Sequence, residues 1–306
     1  MEKKRLIVID GNAIIHRAFH ALPPLKTKKG ELVNAIYGFL LAFFKAIKEF
    51  NPDYVVAAFD FPAPTFRHIK YKLYKATREK APDELYEQIP KIKELLGNFN
   101  IQIFEKQGFE ADDLIGTIAQ KAAKKQIYPE VETIILTGDL DALQLVGKNT
   151  KVYALRKGVK DAIFYDEEKV KEKYDGLLPG QLIDFKALRG DPSDNIPGVF
   201  GVGEKTAISL IKKFNSLENL YRELRKNSEQ IKKMKETLRK KLMDYKDQAF
   251  VSKMLAQIKK DVEIDFDLGK CVWGRYNKNK IIEIFEQYEF KTLINRLKEQ
   301  NNLTLL

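Results

Sequence analysis

The chain has 306 residues, 44% hydrophobic and 32% charged, a composition that supports a full globular core and indicates neither disorder nor membrane burial. The longest apolar run, Ala35–Ile47, is interrupted by Lys45 and falls short of membrane-spanning length, and the single cysteine, Cys271, excludes an internal disulfide and fits a reducing cytoplasm. A net charge of +11 points to a polyanionic partner such as nucleic acid; charge that serves general solubility is the alternative.

In chain order, Arg5–Asp10 predicts a buried strand ending on Asp10, with Arg17 just beyond it. Asn34–Phe50 has the i, i+3, i+4 apolar spacing of a helix, and Tyr54–Asp60 predicts a second strand ending on Asp60. Between Asp60 and Pro82, the basic residues Arg67, His68, Lys70, Lys72, Lys75, Arg78 and Lys80 interleave with Phe66, Tyr71 and Tyr74. Cations that track phosphates beside rings that stack bases suit a single-stranded nucleic acid; a solvated helix with its rings turned inward is the alternative. Asp83–Asn98 predicts a helix, Ile101–Phe104 a short strand, Ala111–Lys125 a helix opened by Glu110, Asp112 and Asp113, and Glu132–Thr137 a strand followed by Asp139 and Asp141. The β-α alternation predicts an α/β fold with a mostly parallel sheet flanked by helices. Beyond Leu178 helical patterns dominate, Gly and Pro concentrate in Gly190–Gly203 around Asp191 and Asp194, and Arg222–Lys260 is a strongly basic helical stretch. Trp273 and a last helix, Lys278–Leu297, read as packing elements. The boundary falls softly near 175–190, giving an α/β unit over 1–178 with a basic segment at about 61–82, and a helical unit over 179–306 with a glycine-rich element at about 190–214.

Nine carboxylates thus fall in five short clusters on a basic chain. Each cluster has an ordinary reading: Asp112 and Asp113 favour a helix N-terminus, Asp139 caps a following helix, and the Asp-Gly-Asn and Asp-Pro-Ser-Asp-Asn runs make turns. If the clusters converge, like charges ~4 Å apart repel by roughly 4 kcal/mol at an effective dielectric of ~20, and bound cations are the natural compensation. Oxygen ligands suit Mg²⁺ or Mn²⁺, and the chain lacks a His/Cys set for zinc. Two such ions would activate a water and stabilise a phosphodiester's leaving oxygen. His16, His20 and His68 read as structural or surface residues. GVFGVGEKTA, Gly198 to Ala207, nearly imitates a phosphate-binding P-loop, but Glu204 precedes Lys205-Thr206 and no strand leads in, so ATP binding is rejected.

LIVIDGN, AFDFPAPTFRHIKYKLYKATR, GFEADDLIGTIA, ILTGDLDALQL and ALRGDPSDNIPGVFGVGEKTA, in this order, resemble the 5′ nuclease domain of bacterial DNA polymerase I and its flap-endonuclease relatives. The resemblance implies a PIN-like nuclease core, a helical arch and a helix–hairpin–helix. It assigns Asp10, Asp60, Glu110, Asp112, Asp113, Asp139, Asp141, Asp191 and Asp194 to the metal site. Asp112 is the bridging and catalytic residue, Asp10 and Asp60 lean to one Mg²⁺, and Asp139, Asp141 and Asp191 to the other. Lys75 and Arg78 then act on the scissile phosphate. Arg17, Arg67, Lys70, Tyr74, Gly201, Gly203, Lys205 and Thr206 contact DNA, the glycines in a hairpin that can hold K⁺. One departure stands out: Leu140 separates Asp139 from Asp141 where such domains often have lysine, so a local basic contact is missing. The implied activity is a 5′-3′ exonuclease and 5′-flap endonuclease in primer removal and repair, acting as a monomer on branched DNA and RNA–DNA primers, with a polymerase in cis or trans. The alternatives are a non-catalytic junction-binding module, against which the retained carboxylates speak, and a haloacid-dehalogenase-type phosphatase, whose second aspartate is replaced by Asn12.

Overall fold

The computed structural model describes residues 3–124, 130–156, 158–159 and 161–299. Six strands, β1 (Lys4–Asp10), β2 (Tyr54–Ala58), β3 (Gln102–Phe104), β4 (Val131–Thr137), β5 (Thr150–Leu155) and β6 (Ala162–Tyr165), form one sheet in the order β3-β2-β1-β4-β5-β6. The first five strands in that order run parallel and β6 pairs antiparallel to β5. In β1, Leu6, Ile7, Val8 and Ile9 are wholly buried, as a continuous apolar run covered on both faces requires. Ile7 and Ile9 pack with the helix Asn34–Phe50, whose bounds coincide with the expected ones. Leu6 and Val8 face the helix Ala111–Lys124, and that core continues into the helical half through Leu188, Val199, Ile211 and Leu220. The expected last residue of that helix, Lys125, and the chain beyond Glu299 lie outside the described residues.

Topology then places the site. The chain leaves β1 to build β2 and β3 on one side and returns to build β4 and β5 on the other. The reversal falls between β1 and β4, and a crevice opens there at the carboxyl ends of the strands. Asp10 ends β1, and the chain turns directly into the helix Gly11–Ala21 because the Asp10 carboxylate accepts the Ala13 N–H at 3.1 Å and caps it. Gly11 is required at that corner, since a Cβ would lie 2.4 Å from the Phe59 ring.

Several elements differ from expectation. β5 and β6 are additional strands; β6, Ala162–Tyr165, is an edge of four residues, too short for its pattern to tell a strand from a loop. The expected helix Asp83–Asn98 is two, Asp83–Tyr86 and Gln88–Asn98, because Pro90 offers no N–H to continue the earlier turn. Arg222–Lys260 resolves into shorter helices, among them Leu217–Lys226, Glu236–Asp244 and Lys246–Ala256, and Lys278–Leu297 breaks where Glu289 takes φ +60°. The segment at 61–82 has one short helix, Phe66–Lys70, followed by turns that lie against the 191–196 loop. There the Lys75 N–H donates to the Asp194 carbonyl at 3.0 Å, and the Asn195 amide donates to the Leu73 carbonyl at 2.7 Å. That loop is part of the connector between two helices, Leu182–Arg189 and Glu204–Phe214. Gly198, at φ +65°, packs so closely on Gly190 that a Cβ would meet its nitrogen at 2.3 Å.

Candidate active site

The crevice at the switch point is a cleft of about 390 Å³ whose lining includes Asp10, Asp60, Glu110, Asp112 and Asp139. Strand ends and helix starts place them. The Thr137 hydroxyl, at the end of β4, donates to Asp10 Oδ2 at 2.6 Å and accepts the Asp139 N–H at 2.9 Å, tying the two strand ends together. Asp60 lies across the cleft, its N–H held by Asn12 Oδ1 at 2.9 Å and its Oδ1 accepting the Ala111 N–H at 2.7 Å. From the 61–82 segment, a strap over the cleft, Lys75 Nζ reaches Glu110 Oε1 at 3.0 Å, and Arg78 pairs with Asp194. Asn12, His16, Arg17 and His20, on one side of the first helix, complete the wall, with Arg17 donating to the Gly138 carbonyl at 3.2 Å.

Electrostatics set this cleft apart. Burial, with repulsion from Asp139 and Asp60, lifts Asp10 to about 7, although bonds from Thr137 and Ala13 work the other way. Burial and the charges of Asp10, Asp139 and Asp141 push Asp112 well above the ordinary carboxylate range, with Lys75 opposing. Burial, together with its neighbour His20 and Arg78, lowers His16. The donors are oxygens, the negative charge is crowded, and Asp10 receives only neutral hydrogen-bond donors, which is the electrostatic demand a hard divalent cation meets. Among the described residues no three His, Cys, Asp or Glu side chains already stand as a ready cage.

The structure does not gather all nine carboxylates. Asp113 is wholly buried and turned away from the cleft, where the Arg67 guanidinium bonds it twice, at 2.7 and 2.8 Å. The N–H groups of Glu110 and Lys259 fill its remaining positions at 3.1 and 2.8 Å. Asp113 is therefore a structural anchor rather than a metal ligand, and Arg67, 2% exposed and also bonded to the Leu255 and Gln257 carbonyls, is no DNA contact. Tyr74 is buried too; its hydroxyl lies 3.1 Å from Glu110 Oε2 and 3.3 Å from Asp194 Oδ2, so its ring offers no stacking face. Asp141 and Asp191 sit apart from the main cleft, joined through Lys186. Lys70, Gly201, Gly203 and Lys205 are exposed and Thr206 is half-buried, on surfaces away from the cleft lining. Asn12 reads in the sequence only as a turn residue and a missing aspartate, and Thr137 and Lys186 are not among the expected site residues. Thr137 was signalled only by its place beside a strand end, and Lys186 by nothing local.

An acidic crevice at a sheet switch point, edged by Lys75 and Arg78 on a basic chain, belongs to the class of nucleases that cleave phosphodiesters. Residues 5–175 match the family model of the 5′-3′ exonuclease N-terminal resolvase-like domain, and residues 177–279 that of the 5′-3′ exonuclease C-terminal SAM fold. The chain belongs to the 5′-3′ exonuclease family and is a hydrolase with 5′ nuclease activity. It is 45% identical over 300 residues to DNA polymerase I of Bacillus subtilis (strain 168), covering 98% of this chain and 33% of that protein. DNA polymerase I of Caldicellulosiruptor bescii is 43% identical over 297 residues, 96% of this chain and 33% of that one. The chain thus spans about a third of the length of the curated relatives it matches. Among solved structures, the bacteriophage T5 D15 flap endonuclease with DNA and metal ions aligns with TM-score 0.67 at 17% identity, over 97% of this chain and 100% of that one. The catalytic core of Rad2 in complex with DNA substrate aligns with TM-score 0.59 at 21% identity, over 94% and 88%. At such identities the likeness establishes the fold. No helix among the described residues is long and apolar enough to cross a membrane.

Proposed function

We propose that the chain is a divalent-metal-dependent, structure-specific 5′ nuclease that cuts near the junction of a single-stranded 5′ arm and a duplex. The observation that carries this reading is the convergence of Asp10, Asp60, Glu110, Asp112 and Asp139 in one cleft, with Lys75 and Arg78 at its edge. Mg²⁺ suits the all-oxygen donor set, with Mn²⁺ as substitute. Asp10, Asp60, Glu110, Asp112 and Asp139 would hold the first ion, and Asp141 and Asp191, beside Asp139, a second. Bound there, the ions supply the positive charge that in-line displacement at a phosphodiester needs on its oxygens. Asp194 acts indirectly, holding Arg78 and Tyr74 in place.

The chain's own residues do the remaining work. Lys75 and Arg78, held by Glu110 and Asp194 in the resting protein, exchange those carboxylates for the scissile phosphate. Arg17, its guanidinium fixed on Gly138, positions a neighbouring phosphate. Exposed Lys70 meets the single-stranded arm. Exposed Gly201, Gly203 and Lys205, with Thr206, open the helix Glu204–Phe214 toward duplex phosphates, and the backbone of that hairpin would hold K⁺, whose charge would favour a phosphate there. Residues 1–178 form the cutting unit and 179–306 the duplex-holding unit. Relatives three times as long and named DNA polymerase I support a polymerase in cis and a place in primer removal and repair. In this reading the chain acts as a monomer in the cytoplasm. The test is cleavage of an end-labelled 5′-flap duplex with Mg²⁺ and with chelator, beside Asp112→Ala. The expected result is Mg²⁺-dependent cutting near the junction, lowered about a thousandfold or more in the variant, with flap binding kept. Binding without cutting in Mg²⁺ and Mn²⁺ would establish a junction-binding module instead.

A further inference from the structure

Lys186 lies on the helix Leu182–Arg189, and its side chain is 14% exposed. Its ammonium joins two carboxylates from separate segments, contacting Asp141 Oδ1 and standing 2.6 Å from Asp191 Oδ2. The other Asp191 oxygen is occupied by the Ser193 hydroxyl at 2.6 Å and the Ser193 N–H at 3.0 Å. Leu140, between Asp139 and Asp141, contributes no charge, so the cation serving Asp141 comes from across the fold. Asp10, by contrast, is bonded by the neutral donors Thr137 and Ala13. Asp141 and Asp191 therefore share one buried ammonium between them, whereas Asp10 rests on neutral donors alone and the main cleft's lysine, Lys75, stands on Glu110 at its edge.

We propose that Lys186 is a resident counter-ion in the second cation position. By this proposal the resting protein takes up one divalent ion in the main cleft, and Asp141–Asp191 opens to a second only when Lys186 withdraws. The inference rests on the divalent-ion reading given above. Mg²⁺ bonds carboxylate oxygens at about 2.0–2.1 Å and would need the space between the same two oxygens that the ammonium fills. Lysine is suited to leaving: it is a point charge on a flexible four-carbon stem, and a cleft of about 220 Å³ beside it, lined by Tyr174, Phe185 and Arg189 among others, gives that stem room. A substrate phosphate drawn to that cleft supplies the replacement anion for the ammonium.

The test is titration of the DNA-free full chain with Mn²⁺ by calorimetry, with electron paramagnetic resonance to detect coupled ion pairs. The wild type should take one ion. Lys186→Met should take two, with the second site tightened about tenfold or more and a spin-coupled signal, while Lys186→Arg stays at one. Lys186→Gln, uncharged but polar, should behave as Lys186→Met does, and covers the case in which the methionine variant fails to fold. Equal ion counts and affinities in wild type and the uncharged variants would overturn the proposal. Failure of every protein to bind any ion would overturn the divalent-ion reading and the proposal with it, a result distinct from equal binding.

Discussion

Asp113 and Asp10 are both buried carboxylates beside the same sheet, and the protein surrounds them differently. Around Asp113 it supplies a full set of partners: two guanidinium bonds from Arg67 and the N–H groups of Glu110 and Lys259. Around Asp10 it supplies the Thr137 hydroxyl and the Ala13 N–H, and then sets Asp139 and Asp60 near enough to repel it. The first arrangement is complete within the chain and therefore structural. The second leaves a charge deficit that folding alone does not remove, and the cost is tolerable only if something cationic arrives. Satisfaction of the carboxylate, rather than its acidity or position in a motif, separates the anchor from the active site.

The sharpest way to break this comparison is to unpair the anchor. Asp113→Ala takes both short carboxylate bonds from the buried Arg67 guanidinium, leaving it only the longer carboxylate contact with Glu110 at 3.4 Å, and should cost about 3–5 kcal/mol of unfolding free energy, measured in urea. The double variant Arg67→Met with Asp113→Leu should recover most of that loss, since an apolar pair of similar bulk replaces both charges. If Asp113 instead served a metal, the double variant would refold well yet lose its metal uptake. Retained metal binding confirms the structural role.

Removing a carboxylate from the deficient cleft should do the opposite. Asp10 is raised from its ordinary 3.8 to about 7, so the folded protein holds a proton that the unfolded chain has released. Its contribution is fully present below about pH 4 and is lost as pH rises through 7. Asp141, raised by burial to about 6 despite Lys186, adds to the same slope. In chelator at pH 8, Asp10→Asn should therefore be more stable than wild type by about 1–3 kcal/mol, and inactive. Thermal melts of the two proteins should converge toward pH 4, and Mg²⁺ should raise the wild type alone. A variant less stable than wild type at pH 8 without metal would show that Asp10 is already compensated.

The same contrast explains what was legible in the chain. Asp10 and Asp139 were readable as site residues because apolar strands β1 and β4 end at or just before them, and parallel topology sends strand ends to one crevice. The helix Asn34–Phe50 was readable to the residue because its periodicity runs unbroken to Asn51, which takes φ +40° and ends it. The split between Asp112 and Asp113 was not readable. Neighbours on a helix point about 100° apart, and which one meets the cleft depends on packing against residues 255–259, far along the chain. Arg67 sits in a run of cations and looks like a phosphate contact; its partner is 46 positions away. Lys186 is a lone lysine in an amphipathic helix, and only the fold brings it to Asp141.

The smallest expected effect tests the boundary between the two regions, at Tyr74. Its hydroxyl lies between Glu110, on the cleft side, and Asp194, which also holds Arg78, and burial with the charges of Glu110 and Asp194 raises its pKa, so it stays a neutral donor at every working pH. Tyr74→Phe keeps the ring and removes only that donor. It should cost about 1 kcal/mol in unfolding free energy and leave flap affinity within about twofold, read by urea titration and by fluorescence anisotropy. A ring that stacked on unpaired bases would tolerate phenylalanine with no stability loss, because stacking needs only the π-face. A measured loss near 1 kcal/mol therefore assigns Tyr74 to the frame that holds the strap on the acidic cleft. No loss would return it to the DNA-facing surface.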